Sequence, residues 1–183
     1  MNKLSKIDES VWADLHRRST GENIKKENDI SNIRYMNPID LGDYTSVLWA
    51  DDDLKVYDEY WFNYIDAEEY LKDTGWRLPT REEAEELYYI FNGDSFKRED
   101  TKYIFTIDDC SLIFEAKGYK YGDTEKIMYE KHYSCWTSTV SSVKNETHYK
   151  LSLEPLHGTE ARFHCTYSFH DLNRICVRPV KDK

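Results

Sequence analysis

The stretch GWRLPTREEAEELYYIF, residues 75–91, restricts the fold more than any other part of the chain. Pro79 locks its own φ, lacks a backbone N–H and pushes Leu78 into extended backbone. Thr80 followed by Glu83 then makes a capping box, in which each side chain satisfies a backbone N–H at the start of a helix. Ala84, Leu87, Tyr88 and Phe91 recur at helical spacing and give that helix one apolar face. These residues dictate extended backbone that turns directly into an amphipathic helix. Whether a sheet lies beside that corner must be sought in the rest of the chain.

The rest of the chain predicts that sheet. A turn at Asn37 and Pro38 leads to the strand VLWA, and VYDEYWFNYI reads as partly extended. Asp66 and Glu69 predict a second capping box for a short helix in AEEYLKDT, which stops at Gly75. After Gly93 the segments KYIFTI, CSLIFEAKGY, EKIMYE, YSCWTSTV, THYKLSLE, ARFHCTYSF and RICVRPV read as short strands. Two helices followed by many strands predict an α+β domain, with helices beside a mostly antiparallel sheet. In the last two strands Phe163, Cys165 and Tyr167 share a face, as do Ile175 and Val177. Burying both sets places 163 opposite 177 and 165 opposite 175, with the nearby arginines outward. In that register Cys165 faces Ile175, so no Cys165–Cys176 disulfide is expected.

Residues 1–34 differ in character. In DESVWADLHRRSTG, Val11, Trp12 and Leu15 form a small apolar face, the HRR triplet suits a helix C-terminus, and Gly21 can close it. A helix this short is marginal alone. Trp12 therefore either covers a patch of its own domain or docks on a partner, with ENIKKENDISN as a tether. The docking residues are Val11, Trp12 and Leu15, with Arg17 and Arg18 as polar partners. The expected organisation is an N-terminal anchor segment, 1–34, and a folded domain, 35–183.

The net charge of -10, without a long Lys or Arg run, argues against a nucleic-acid partner. No apolar run approaches the ~20 residues of a membrane span, and the N-terminus lacks the apolar centre of a signal peptide, so synthesis in the cytoplasm is expected. In that setting the cysteines, Cys110, Cys135, Cys165 and Cys176, are expected as thiols.

The ordered set DLG…VLWA, GWRLPT with its helix, CWTST, ARFH and the closing VRPV resembles the bacterial C-type-lectin-like domains known as the Fibrobacter succinogenes major paralogous domain, over roughly residues 35–180. The resemblance implies that Trp76, Leu78 and Pro79 pack the helix on the sheet, and that Trp136, Thr137, Val177 and Val180 lie in the central sheet. The segment IDESVWADLHRRSTGENIKKEN is similar to leaders on structural proteins of phages that infect gut Bacteroidales. Together the two resemblances imply a non-enzymatic virion or surface display protein, anchored by its N-terminal segment and offering a lectin-like domain to a host glycan or protein. Symmetric homo-oligomers follow from that precedent alone. Tyr57, Tyr60, Trp61 and Tyr64, in the least regular aromatic stretch, are the candidate ligand-binding residues.

Two other readings compete. The first is a purely structural decoration or connector of an assembly. The second is a metal-dependent enzyme related to formylglycine-generating enzymes, which share the Arg-Leu-Pro-Thr helix entry. Here Ala84 stands where those enzymes carry tryptophan, and Cys165 and Cys176 lie too far apart in sequence for their cysteine pair. Zinc has candidate ligands in His132, Cys135, His164, Cys165, His170 and Cys176, but no paired CxxC knuckles. Calcium has only the acidic runs Asp51–Asp53 and Asp108–Asp109. The chain has no Gly-x-Ser-x-Gly elbow and no glycine-rich phosphate loop, and no cofactor is expected.

Overall fold

The computed structural model describes residues 31–122, 124–142, 147–157, 160–165 and 168–183. The helices are α1 (Tyr64–Leu71) and α2 (Arg81–Phe91). The strands are β1 (Pro38–Ile39), β2 (Val47–Ala50), β3 (Phe96–Glu99), β4 (Lys102–Ile107), β5 (Cys110–Glu115), β6 (Tyr119–Lys120), β7 (Ile127–Met128), β8 (Tyr133–Val140), β9 (Thr147–Pro155), β10 (Ala161–His164), β11 (Ser168–His170) and β12 (Val180–Asp182). They form antiparallel sheets ordered β1-β2-β12, β3-β4-β5 and β6-β7, and a fourth in which β9 carries β8 on one edge and β10 then β11 on the other. The architecture is α+β. Among the described residues no helix is long and apolar enough to cross a membrane.

The corner at residues 75–91 forms as its residues dictate. Arg77 is extended and exchanges both backbone hydrogen bonds with Val180, at 2.9 and 2.8 Å. Thr80 and Glu83 close the capping box. Arg77 completes it, donating two hydrogen bonds to the Glu83 carboxylate, at 2.8 and 2.7 Å, and one to Asp182 at 2.8 Å. Glu83 thus caps the helix and clamps the strand before it. The buried face of α2 is Ala84, Leu87 and Ile90, whereas Tyr88 stays half exposed and stacks on Phe91. Helix α1 starts earlier than its expected box, because Asn63 caps it by accepting the Asp66 N–H at 2.8 Å.

Two apolar clusters fill the body. One collects the α2 face with Leu41, Trp49, Tyr103, Phe105, Phe114, Leu151 and Leu153. The other collects α1 with Ile33, Leu54, Phe62, Trp76, Leu78, Trp136, Ile175 and Val177. The corner spans both, Trp76 and Leu78 anchoring in the second while the helix they introduce packs in the first. Ile33 belongs to this core, and the Asn32 amide group bonds the backbone of Asp53 and Lys55. The folded body therefore includes residues 31–34, which the expected boundary at Tyr35 would have cut away.

The expected register of the last strands is not the one found. Phe163 pairs with Leu153 of β9, while Ile175 meets Phe62 and Cys176 runs parallel to Cys135. The alternation grouped Phe163 with Cys165 and Ile175 with Val177 correctly, Tyr167 lying outside the described residues, but it could not identify partners. The segment is buried on both faces, and Arg178 points inward rather than outward, 1% exposed. It meets Asp53, which is fully buried although its neighbours Asp51 and Asp52 are exposed. Asp53 Oδ1 accepts from Arg178 Nε at 2.9 Å and Tyr133 Oη at 2.7 Å, and Oδ2 accepts from Lys117 Nζ at 3.0 Å. The Arg178 guanidinium also donates to the carbonyls of Ala50 and Ile113. Burial opposes charge on Asp53, but Arg178 and Lys117 outweigh it and hold the carboxyl below the usual range.

Removing one member of such a pair strands the other in the core. Asp53→Asn should cost about 3–5 kcal/mol in urea unfolding at pH 7. The Asp53 contribution is complete above about pH 4 and drains away as pH falls through its depressed folded pKa, so the variant should lose less stability on acidification. A cost below about 1 kcal/mol, the value of an exposed pair, would overturn this assignment.

Candidate functional site

Strand β9 alternates. Leu151 and Leu153 face the first apolar cluster, and Lys150, Ser152 and Glu154 face the other way. Register brings neighbours of matching character onto that second face: Trp136 lies opposite Lys150, Ser134 opposite Ser152, His164 opposite Ser152 and Arg162 opposite Glu154. At one end the face is apolar, with Trp136 and Phe169 packed toward α1. At the other it is a polar recess. Its floor is the buried Ser134 and Ser152, whose hydroxyls lie 3.0 Å apart, and Lys150, which donates to Ser134 Oγ at 3.3 Å. At its rim Glu154 lies 3.9 Å from His132 Nδ1 and 3.8 Å from His164 Nε2.

Aromatic rings wall this recess. Lys150 Nζ lies 4.7 Å from the ring centre of Phe169 and 5.3 Å from that of Tyr119. Tyr119 in turn stacks on Tyr129 at 5.5 Å and meets Phe169 edge-on at 5.2 Å, and Tyr121 touches both Tyr119 and Phe169 at 5.8 Å. Tyr121 and Tyr129 are more than half exposed. The β6-β7 hairpin holds these rings through close backbone approach: a Cβ on Gly118, at φ +66°, would sit 2.4 Å from the Met128 carbonyl. Tyr129 itself adopts the left-handed conformation, φ 52°, unusual for a bulky residue.

Lys150 is the anomalous group. It is only 9% exposed, yet among the described residues no carboxylate lies within 4.0 Å of its amine. Burial drives its pKa down to about 8, against weaker opposition from Glu154 and Cys135. His132 and His164 are also lowered, mainly by burial and partly by Lys150. A serine hydrogen-bonded to a lysine of low pKa suggests base-activated nucleophilic chemistry. Ser134 and Ser152 are nevertheless almost fully buried within the sheet, closed to an electrophile. What the recess offers an incoming group is a cation, imidazole hydrogen-bonding groups at the rim, and aromatic rings.

The four residues expected to bind ligand do not share one cluster, although the Tyr60 and Trp61 rings meet edge-on at 6.5 Å. Tyr57 is exposed at the tip of a turn, with φ 54°. Tyr60 lies beneath the ammonium groups of Lys55 and Lys117, and Trp61 beneath that of Lys120, with its indole N–H donated to the Lys117 and Gly118 carbonyls. Tyr64 belongs to the core, stacked on His148 at 3.5 Å and donating its hydroxyl to Glu68. Val11, Trp12, Leu15, Arg17 and Arg18 lie outside the described residues. The metal candidates fare differently again. Cys135, Cys165 and Cys176 are buried free thiols, each raised by burial, Cys135 to about 12. Among the described residues no group of three or more His, Cys, Asp or Glu is arranged to hold a metal.

Lys150 and the tyrosine wall escaped the sequence reading. The alternation in THYKLSLE marks Lys150, Ser152 and Glu154 as one polar face, but only the β6-β7 hairpin folding over it makes that face a recess. Comparison with protein-family models, curated proteins and solved structures finds no match to this chain.

The amine predicts an inverted stability effect. Its folded pKa, about 8, is below lysine's ordinary 10.5, so the buried charge penalises folding fully below pH 8, and the penalty fades as pH rises toward 10.5. Lys150→Met, which keeps the stem, should stabilise the protein at pH 7 by on the order of 1–3 kcal/mol in urea unfolding, with the gain vanishing above about pH 10.5. Destabilisation at every pH would mean that the contacts to Tyr119 and Phe169 outweigh the cost of burial.

Proposed function

We propose that this protein is a lectin-like display module whose N-terminal segment, with Val11, Trp12 and Leu15 as contacts and Arg17 and Arg18 as polar partners, fixes it to a larger assembly such as a virion. The domain presents a ligand-binding surface to a host glycan or protein. The observation that carries the reading is the set of tyrosine rings, Tyr119, Tyr121 and Tyr129, held with Phe169 at the mouth of a polar recess by a short hairpin. Tyrosine suits recognition because it offers a large, stiff ring and a hydrogen-bonding hydroxyl at low entropic cost. Further support comes from Trp76, Leu78, Trp136, Thr137, Val177 and Val180, all buried, as a C-type-lectin-like core would require of them.

The anchor is tested on the full chain. Wild type should co-sediment with purified particles of the assembly, and the double variant Trp12→Ala, Leu15→Ala should lose at least tenfold in retained fraction at unchanged thermal stability. Equal retention of both would remove the anchoring role. Retention through the domain alone would favour the reading as a structural connector.

A further inference from the structure

We infer that the recess around Lys150 is a binding site for a carboxylate-bearing sugar, such as a terminal uronic acid. The inference rests on the glycan-binding reading above and gives it a place and a ligand class.

The argument begins with the uncompensated charge. A buried ammonium ordinarily carries a paired carboxylate, because desolvation costs several kcal/mol. Lys150 has one neutral hydrogen bond, to Ser134, and two ring faces, Tyr119 and Phe169. An ammonium has three N–H donors, so its donor capacity is not filled by that one bond. The nearest negative charge, Glu154, is placed between His132 and His164 at the rim instead. Counting the charges that face the recess gives Lys150 and the exposed Arg162 against Glu154, with both imidazoles biased to the neutral form. The recess is thus locally cationic on a chain whose net charge is -10.

An incoming carboxylate would supply the missing partner, as a charge-assisted hydrogen bond in a site already shielded from water. The rest of the ligand is constrained by what surrounds the amine. Tyr121 and Tyr129, each more than half exposed, extend the ring cluster that Tyr119 and Phe169 begin at the amine, and these aromatic rings match the apolar C–H face of a pyranose. A carboxylate on such a ring satisfies both features at once. An inorganic anion would leave the rings unused, and a neutral sugar would leave the amine unpaired.

The probes are matched oligosaccharides ending in glucuronic acid or glucose, titrated into the full-length protein and read by amide chemical-shift changes. The acid should bind at least tenfold more tightly than the neutral sugar. Lys150→Met, which the stability argument expects to fold, should abolish that difference, and Tyr121→Ala should weaken the acid at least threefold. Binding should also weaken as pH rises through about 8, where Lys150 loses its proton. Equal binding of acid and neutral sugars, undisturbed by Lys150→Met, would overturn the carboxylate site while leaving glycan recognition intact. Binding of an acidic peptide in preference to both sugars would overturn the ligand class. Failure of both sugars to bind would overturn the inference, and a glycan array would then separately test the broader reading.

Discussion

The buried carboxylate of Asp53 is the constraint around which the other elements are arranged. Its partners arrive from three distant parts of the chain: Lys117 just after β5, Tyr133 at the start of β8 and Arg178 near the C-terminus. Arg178 also collects the carbonyls of Ala50 and Ile113, tying β2 and β5 to the same guanidinium. A buried ion pair often contributes little against an apolar alternative of equal volume. Its value here lies in discrimination. A one-residue slip of the C-terminal segment would bring Val177 or Pro179 to the carboxylate and strand a charge on each side, a far larger penalty than misplacing one apolar contact.

That discrimination matters because the C-terminal segment is the seam of the molecule. Residues 174–180 pair in turn with Lys120, Phe62, Cys135, Leu54, Ala50 and Arg77, touching every sheet except β3-β4-β5, which the Arg178 side chain reaches. The corner at residues 75–91 joins this seam from the other side. Arg77 pairs with Val180 through its backbone while its side chain grips Glu83 and Asp182. Proline and capping box specify the turn into the helix, and the arginine fixes that turn to the sheet.

What the sequence revealed follows from which interactions are local. The helix α2, its cap and most strands were legible, since proline stiffness, capping and alternation act within a few residues. The burial of Asp53 and Arg178 was not. Asp51, Asp52 and Asp53 are identical letters in a row, and only a distant arginine distinguishes the third. The same limit misassigned the partners of Phe163 and Ile175, because alternation specifies a face and not a neighbour. It also directed attention to Tyr57, Tyr60, Trp61 and Tyr64, adjacent in sequence but divided between a turn, two lysine-capped rings and the core. The tyrosines that do converge, Tyr119, Tyr121 and Tyr129, meet across a hairpin whose close backbone approach a side chain at 118 would block.

Asp53 and Lys150 make an instructive contrast between compensated and uncompensated burial. Both are charged groups removed from water, and both meet aromatic or hydroxyl neighbours. Around Asp53 every demand of the charge is met by Lys117, Arg178 and Tyr133, so its pKa moves in the direction that keeps it ionised. Around Lys150 the demands are met in part, and its pKa moves toward neutrality. A packed core could remove that cost by substituting an apolar side chain of similar length opposite Trp136. The carboxylate site proposed above accounts for the presence of Lys150 beside Tyr119 and Phe169, since binding energy is largest where a preorganised charge waits without a counter-ion in a dry setting.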